Sequence, residues 1–327
     1  MIAYACKQGL GYLAKSFYDA GVIDSVIQIK HRHHTNYDWY KDPIVFDKMP
    51  IVGRRVEDFL YEMDLVLCFE TPFDWTFPLR CRRAGVKTIC MPMYEWFPKD
   101  KVDVFDYYLS PSQLDMEYFP GSFFFQPPVD PSTWKLRTTA TTFVHNAGNV
   151  GSRNHKGTEE LLAAIPFIKS DISLIIRAQN TDALGRLLDK YPIDSRVTVT
   201  LGEIEYSELF ATGDVYVAPE KYNGLSLPLQ EAYAAGMLVV TTNRYPTNTW
   251  LPNEPLIPVE SVHRASISPS YFDFDECVVN PKTIAETIDA WYGKDITEYS
   301  LQAKAWAESN SWAAKKATLT EIFNDCV

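Results

Sequence analysis

Residues 214–242 read DVYVAPEKYNGLSLPLQEAYAAGMLVVTT and predict a strand, a turn, a helix and a second strand in direct succession. The runs Val215-Tyr216-Val217 and Leu238-Val239-Val240 are short and apolar, as expected of strands buried in a parallel sheet. Between them, Ser226 is a candidate N-cap and Pro228 stands in the first helical turn, where its missing N–H costs nothing. Gly236 is well placed to end the helix. This order of elements predicts an α/β domain.

The start of this helix has the properties of a phosphate-binding site. Asn223 and Gly224 supply a turn in which positive φ is cheap. A helix that begins where a parallel strand ends points free N–H groups and a positive dipole end into a crevice. Glu231 lies on this largely apolar helix, where an unpartnered carboxylate costs on the order of several kcal/mol. It is therefore either an exposed residue at the helix edge or a group with a bound partner.

The stretch resembles the donor-site signature of the family 4-like retaining glycosyltransferases (glycosyl transferases group 1), which reads P-S-x-x-E-G-F-G-L-P-x-x-E-A-x-A-x-G-x-P-V-V. The corresponding residues here are Pro219, Asn223, Gly224, Leu225, Ser226, Leu227, Pro228, Glu231, Ala232, Ala234, Gly236, Val239 and Val240. One departure is serious, because Asn223 stands where the family has its first glutamate. The resemblance implies the GT-B fold, an α/β architecture of two Rossmann-like domains facing across a cleft, with a C-terminal helix returning to the first domain.

Chain length agrees with this architecture. The 327 residues suffice for roughly two domains of ordinary size. Residues 126–131, QPPVDP, form a stiff, non-helical connector and resemble the family's interdomain linker. We therefore predict an N-terminal acceptor-side domain over residues 1–134 and a nucleotide-sugar-binding domain over 135–300. Residues 301–327 would form the returning helix.

Composition excludes several other classes of protein. Hydrophobic residues make up 46% of the chain and charged residues 22%, which is typical of a soluble globular protein. No apolar run reaches about twenty residues, so no spanning helix is expected, and the N-terminus lacks the pattern of a secretory signal. Six cysteines without C-x-x-C spacing indicate reduced thiols and a cytoplasmic location. A net charge of −11 gives no general attraction to nucleic acid or anionic lipid.

The first domain offers several groups at predicted strand ends. Gly9 and Gly11 follow the first strand and form a glycine loop, which is either a tight turn or, as the resemblance implies, an approach to the donor or acceptor. Glu70, Tyr94 and Glu95 follow two later strands, and ligands of parallel sheets lie at that edge. They are candidates for acceptor contact or proton handling, Glu95 being the catalytic candidate. Alternatively, Glu95 merely caps a loop.

Two groups of side chains have residue types that can bind a metal ion. His31, His33 and His34 have an alternating spacing that is more typical of an exposed loop than of a metal site. Asp273 and Asp275 resemble the acidic motif of GT-A enzymes, but they follow the sheet of the second domain and not a strand of the first. No metal or other cofactor is predicted.

The loop at residues 146–156, NAGNVGSRNHK, carries the predicted cationic groups. In the resembling family, an arginine and a lysine in this loop hold the leaving diphosphate, where positioned cations stabilise the growing negative charge. Lys156, followed by Gly157, matches the lysine. Asn149 stands after Gly148, and Arg153 is therefore assigned the arginine's role. The alternative is a solvated basic loop.

By resemblance, the chain is an enzyme that transfers a hexose or pentose from a nucleotide-diphosphate donor to an acceptor hydroxyl with retention of anomeric configuration. Glu231 would bind the ribose hydroxyls, Asn223 the transferred sugar, and the amides of residues 224–227 the diphosphate. The acceptor is undetermined: a saccharide, a lipid-linked group, a protein or a modified nucleic acid. Two alternatives stay open, a bacteriophage-type enzyme that glycosylates nucleic-acid bases and a sugar-nucleotide-binding protein without transferase activity.

Overall fold

The computed structural model describes residues 1–32, 34–148, 154–179, 181–252 and 255–327. Contacts between its residues divide the chain into two compact units. Unit 1 comprises Met1–Pro128, Ser266–Asp273 and Trp312–Val327, and unit 2 comprises Val129–Ala265 and Phe274–Ser311.

Unit 1 is built on a parallel sheet of seven strands in the order β3-β2-β1-β4-β5-β6-β7. The strands are β1 (Ile2–Tyr4), β2 (Ile27–Ile29), β3 (Ile44–Phe46), β4 (Leu65–Phe69), β5 (Lys87–Met91), β6 (Tyr107–Ser110) and β7 (Phe123–Phe124). The accompanying helices are α1 (Gly9–Asp19), α2 (Arg54–Tyr61), α3 (Phe77–Arg83) and α4 (Gln113–Tyr118). The strand order reverses between β1 and β4, so their carboxyl ends flank the switch point where ligands of such sheets bind.

Unit 2 repeats this architecture with six parallel strands in the order β10-β9-β8-β11-β12-β13. The strands are β8 (Thr142–Gly148), β9 (Ser173–Ala178), β10 (Val197–Leu201), β11 (Val215–Ala218), β12 (Leu238–Thr242) and β13 (Leu256–Ile257). Its helices are α5 (Thr158–Ala164), α6 (Thr181–Lys190), α7 (Leu227–Ala234), α8 (Pro281–Trp291) and α9 (Thr297–Ser309). A separate two-stranded sheet pairs β14 (Ser261–Ser266) with β15 (Asp273–Val278). The switch point of the large sheet lies between β8 and β11.

Buried apolar residues cover both faces of the unit 2 sheet. Val215 and Val217 pack with α5, α6 and α8 on one face. Tyr216 packs with α7 and α9 on the other. Burial of such a side chain contributes about 1.5–3 kcal/mol, and the unbroken apolar run of β11 follows from the cover on both faces. The α/β domain predicted from residues 214–242 is thus present, and α7 ends at Ala234, two residues before Gly236.

The C-terminal segment contains two helices. α9 belongs to unit 2, whereas α10 (Trp312–Asp325) belongs to unit 1. Trp312 stands edge-on to Phe17 of α1, with ring centroids 4.9 Å apart, and its Nε1 donates to Ser16 Oγ at 2.8 Å. Among the helices that the structure describes, none combines the length and the apolar character needed to cross a membrane.

Candidate functional site

Polar side chains of unit 2 converge at the carboxyl ends of β8, β11 and β12. The close approach that brings them together depends on Gly157, which stands at the N-cap of α5 with φ +70°. A Cβ atom at Gly157 would lie 2.1 Å from the carbonyl oxygen of Pro219, the residue after β11. Only glycine permits both this φ and this distance. The loop that ends in Lys156 is therefore held against the loop that follows β11.

Lys156 lies at this switch point. Its Nζ is 3.5 Å from the carbonyl oxygen of Asn146, near the end of β8. Burial lowers the pKa of Lys156, while the carboxylates of Glu220 and Glu231 act in the opposite direction. The side-chain Oδ1 of Asn146 is itself buried and has no hydrogen-bond partner among the described residues. The cationic Lys156 is thus close to Asn146, whose side-chain oxygen is available to accept a hydrogen bond from a ligand.

Glu231 projects from the second turn of α7. The hydroxyl of Tyr206 donates to its Oε1 at 2.8 Å. Burial raises the pKa of Glu231 to about 7, although the Tyr206 hydroxyl and Lys156 act to lower it. The sequence predicted that a carboxylate on this helix needs a hydrogen-bonding partner, and Tyr206 is that partner in the structure.

The turn before α7 differs from its predicted form. Asn223 and Gly224 were expected to carry the positive φ, but it falls on Ser226, with φ +47° and ψ +46°. Ser226 is the N-cap residue, yet its side chain makes no cap hydrogen bond, so the predicted capping role is wrong. Its backbone N–H donates instead to Oδ1 of Asn223 at 3.0 Å. Asn223 is therefore a turn-forming residue, whatever else its amide contacts.

A buried ion pair that the sequence analysis did not identify lies under this turn. Arg244, two residues after β12, donates from Nη2 to Oε2 of Glu220 at 2.7 Å, and their side chains are only 4% and 2% exposed. The hydroxyl of Ser226 also donates to Oε2 of Glu220 at 2.7 Å. No sequence period links residues 24 positions apart. The only signal was two charges next to buried strands, which suggests pairing.

His145 connects three elements beneath the site. Its Nδ1 lies 2.7 Å from the carbonyl oxygen of Val217 and its Nε2 2.9 Å from Oγ1 of Thr158. Burial lowers the pKa of His145 to about 4, so the ring is neutral at pH 7. Because a carbonyl oxygen only accepts, Nδ1 carries the proton and Nε2 accepts from Thr158. This histidine holds β8, β11 and α5 together.

The predicted residues of the first domain all lie in unit 1. Gly9 and Gly11 are in the first turn of α1 and not in a loop as expected. Glu95 is 4% exposed, in a short 3₁₀ turn after β5. Glu70 follows β4 at the switch point of this sheet, with φ +58°. Burial raises the pKa of Glu70 to about 7.

Arg153, Asn149 and His33 lie outside the described residues. Asp273 and Asp275 form ion pairs with Lys99 and Arg264, at 3.1 Å and 2.9 Å. Within the described ranges, no three histidine, cysteine, aspartate or glutamate side chains are grouped so that they could hold a metal ion.

Comparison with protein families gives a match to the model of glycosyl transferases group 1 over residues 142–257. This range contains the loop of Lys156, the turn of Asn223 and the helix of Glu231. The resemblance predicted from residues 214–242 is thereby confirmed, and the matched range lies within unit 2. Comparison with curated protein sequences gives no match.

Solved structures with a similar fold cover nearly the whole chain. Anabaena HepE, described in complex with UDP and glucose, is 12% identical with a TM-score of 0.71, over 99% of this chain and 98% of its own. A glycosyltransferase from Rickettsia africae is 13% identical with a TM-score of 0.70, over 100% and 97%. Sucrose-phosphate synthase from Thermosynechococcus elongatus is 14% identical with a TM-score of 0.62, over 96% and 92%. Similarity at this level of identity shows the fold, and the predicted GT-B class with two Rossmann-like domains is confirmed.

Proposed function

We propose that this protein is a retaining glycosyltransferase that moves a sugar from a nucleoside diphosphate donor to an acceptor hydroxyl. The observation that carries the proposal is the electrostatic interaction between Lys156 and Glu231 at the switch point of unit 2. Both residues lie within the segment that matches glycosyl transferases group 1. A cation and a carboxylate at that edge suit the two ends of a nucleoside diphosphate, its phosphates and its ribose.

The leaving diphosphate is bound by Lys156 and by backbone amides at the start of α7. Ser226 N–H is occupied by Asn223 Oδ1, and Pro228 has no N–H. We therefore assign the diphosphate to the amides of Gly224, Leu225 and Leu227. As the glycosidic bond breaks, the β-phosphate gains negative charge, and a fixed cation stabilises that charge more in the transition state than in the ground state. Arg153 is proposed as a second cation in the same loop.

The other donor contacts follow from the turn and from α7. Glu231, in its ionised form, accepts hydrogen bonds from the ribose hydroxyls, and donor binding displaces or shares the hydroxyl of Tyr206. Asn223 keeps its Oδ1 on the turn and offers its amide N–H groups to the transferred sugar. Retaining transfer of this kind needs no protein nucleophile. Because Lys156 and the amides carry the diphosphate charge, no divalent cation is required, and a chelator should leave the transfer rate unchanged.

Acceptor contacts are proposed for unit 1. Glu70 combines a switch-point position with a pKa of about 7, which suits a group that exchanges a proton with an acceptor hydroxyl. Glu95 is proposed as a second acceptor contact. Variants at either position should raise the KM for acceptor and leave the affinity for donor unchanged.

Nucleoside diphosphates and nucleotide sugars test the proposal by thermal stabilisation, starting with UDP because HepE is described bound to it. A ligand at 100 times its Kd stabilises the folded state by about 2.7 kcal/mol. Transfer to acceptors and donor hydrolysis then separate an enzyme from a protein that only binds sugar nucleotides. Binding of no nucleotide would contradict the proposal. Glycosylation of modified DNA would favour the nucleic-acid alternative, against which the net charge of −11 argues.

Lys156→Met tests the assignment of the leaving group. Turnover should fall by about tenfold or more, while donor affinity falls less, because the charge matters most as the diphosphate leaves. Lys190→Met is the matched control, since Lys190 is exposed at the end of α6 in the same unit and pairs with Glu159. Equal turnover in the parent and Lys156→Met would return Lys156 to a structural role.

A further inference from the structure

The Glu220–Arg244 ion pair connects two loops of unit 2. Glu220 follows β11, and Arg244 follows β12, the neighbouring strand of the sheet. Both side chains are almost fully buried, and Nη2 of Arg244 lies 2.7 Å from Oε2 of Glu220. A buried ion pair is weak evidence for stability, because desolvation of both charges offsets their attraction. The other contacts of Glu220 and Arg244 indicate a different role for this pair.

Apart from a contact of Arg244 Nη1 to the carbonyl oxygen of Tyr245 at 3.3 Å, the other side-chain hydrogen bonds of the pair lead to the turn Asn223–Ser226. Nη1 of Arg244 donates to the carbonyl oxygen of Asn223 at 2.7 Å. Nη2 also lies 3.0 Å from Oγ of Ser226, whose hydroxyl donates to Glu220. Arg244 and Glu220 therefore hold the first and last residues of the turn.

The turn needs such support because Ser226 is in the left-handed region. A residue other than glycine in this conformation is strained and persists only where its surroundings fix it. The hydroxyl and the backbone N–H of Ser226 are both bound, to Glu220 and Asn223. The conformation of Ser226 sets the relative direction of the two peptide planes that flank it, and so of its own N–H and the N–H of Leu227.

We propose that Glu220 and Arg244 are positioning residues that hold the turn Asn223–Ser226 in the conformation that binds the donor diphosphate. This inference rests on the proposed function. The two charges neutralise each other, so the pair fixes the conformation of the turn and adds no net charge to the site. Arg244 acts on the donor only through the turn.

Substitutions at Arg244 distinguish a residue that positions the turn from one that binds the diphosphate by its charge. Arg244→Lys keeps the charge but loses the planar fork that reaches Glu220 and Asn223 together. If Arg244 positions the turn, Arg244→Lys and Arg244→Met should both weaken the binding of UDP, or of whichever nucleoside diphosphate stabilises the parent, by roughly tenfold, as expected for a lost hydrogen bond. If Arg244 instead binds the diphosphate by its charge, Arg244→Lys would bind as the parent does, and the proposal would be overturned.

The double variant Glu220→Gln with Arg244→Met excludes a merely structural role. Removing both charges leaves no unpaired buried ion, so thermal stability should recover relative to Arg244→Met. The affinity for the nucleoside diphosphate should not recover, because the turn is still unsupported. Recovery of affinity together with stability would show that the pair serves folding alone.

Arg196→Met is the matched control. Arg196 lies just before β10, at the amino edge of the same sheet, and donates to Asp194 and to the carbonyl oxygens of Ile165, Ile168 and Ser170. This variant should lower the Tm and leave nucleotide affinity unchanged. The parent protein distinguishes the two levels of failure, since absence of binding to any nucleoside diphosphate contradicts the proposed function itself. Binding by the parent with equal affinity in every Arg244 and Glu220 variant contradicts only this inference.

Discussion

Glu231 is a carboxyl group whose ionisation depends on pH close to neutrality. Its pKa in the folded protein is about 7, raised from an ordinary value of 4.5 by burial. Between these two values the folded state binds more protons at this position than the unfolded state does. The stabilising contribution of Glu231 is therefore complete below pH 4.5 and is lost as the pH rises to about 7.

Glu231→Gln should remove this dependence on pH. The free energy of unfolding of the variant, relative to the parent, should increase between pH 5 and pH 8, measured by urea denaturation at several pH values. Nucleotide affinity should show the opposite trend in the parent, because the ionised carboxyl accepts the ribose hydroxyls. The parent should bind UDP more tightly as the pH passes through 7, beyond any trend in Glu231→Gln. Parallel pH profiles for the two proteins would contradict this assignment.

Substitutions at Asn223 distinguish its role in forming the turn from its proposed role in binding the transferred sugar. Asn223→Gly keeps a residue that suits the turn and deletes the amide. At saturating donor, the change should lower transfer by about tenfold, the effect of the lost hydrogen bond to the sugar. It should also weaken the binding of UDP, because Oδ1 no longer accepts from the Ser226 N–H. Asn223→Asp keeps the Oδ1 acceptor for Ser226 and removes the amide donors, so it should also transfer slowly. Transfer at the parental rate in Asn223→Gly would limit Asn223 to the turn.

At the level of elements, local signals predicted the extent of α7 well but not the side-chain contacts of its N-cap residue, Ser226. Pro228 and Gly236 mark the two ends of the helix by their own backbone preferences. Ser226 has the same local preference for capping, but its side chain is used by Glu220 and Arg244, which lie 6 and 18 positions away along the chain. Propensity is a property of neighbouring residues and does not include such tertiary contacts.

Gly11 in unit 1 is a second residue whose role depends on a tertiary contact that the local sequence does not reveal. The sequence leaves open whether Gly11 belongs to a tight turn or approaches a ligand; in the structure, a Cβ atom there would lie 2.0 Å from the carbonyl oxygen of Cys6. The sequence pattern of two glycines after a strand is the same whether the glycine approaches a ligand or another backbone. Here the close approach is between α1 and the segment that follows β1.

Gly11→Ala should therefore destabilise the protein, by about 1–3 kcal/mol as for an overpacked core position. Gly9→Ala is the matched control in the same helical turn, since its Cβ would meet nothing within 4 Å. It should be neutral or stabilising by up to about 1 kcal/mol. Equal stability of the two variants in urea denaturation would show that the backbone near Cys6 adjusts without cost.

For the whole molecule, length and strand–helix alternation predicted the two α/β sheets, because each sheet is made of units that are local in sequence. The division of the chain into two units depends on contacts between residues that are distant in sequence. Ser266–Asp273 and Trp312–Val327 belong to unit 1 although they follow most of unit 2. The sequence analysis placed the return at residue 301, within α9. The composition of α9 and α10 does not indicate that the two helices belong to different units. Their assignment follows from the residues against which each helix packs.

The contacts of α10 predict its contribution to unit 1. Trp312→Phe should keep the packing against Phe17 and lose the hydrogen bond to Ser16, at a cost of about 1 kcal/mol in the free energy of unfolding. Trp312→Ala should cost more, about 3 kcal/mol. Ser16→Ala completes a double-mutant cycle, and its effect should largely vanish in the Trp312→Phe background. Additive effects would show that this hydrogen bond contributes nothing.

The six cysteines are all buried and none forms a disulfide, so the reactivity of their thiols reports local opening of the molecule. Burial raises the pKa of Cys277 and of Cys90, and that of Cys326 to about 11. Since only the exposed thiolate reacts with alkylating reagents, each cysteine is labelled when its surroundings open. Cys277 alone belongs to unit 2, on β15, and its N–H donates to the carbonyl oxygen of Lys221 in the loop after β11. Its labelling rate, read by mass spectrometry against those of the five cysteines of unit 1, therefore records how often the loop after β11 opens and whether UDP slows that opening.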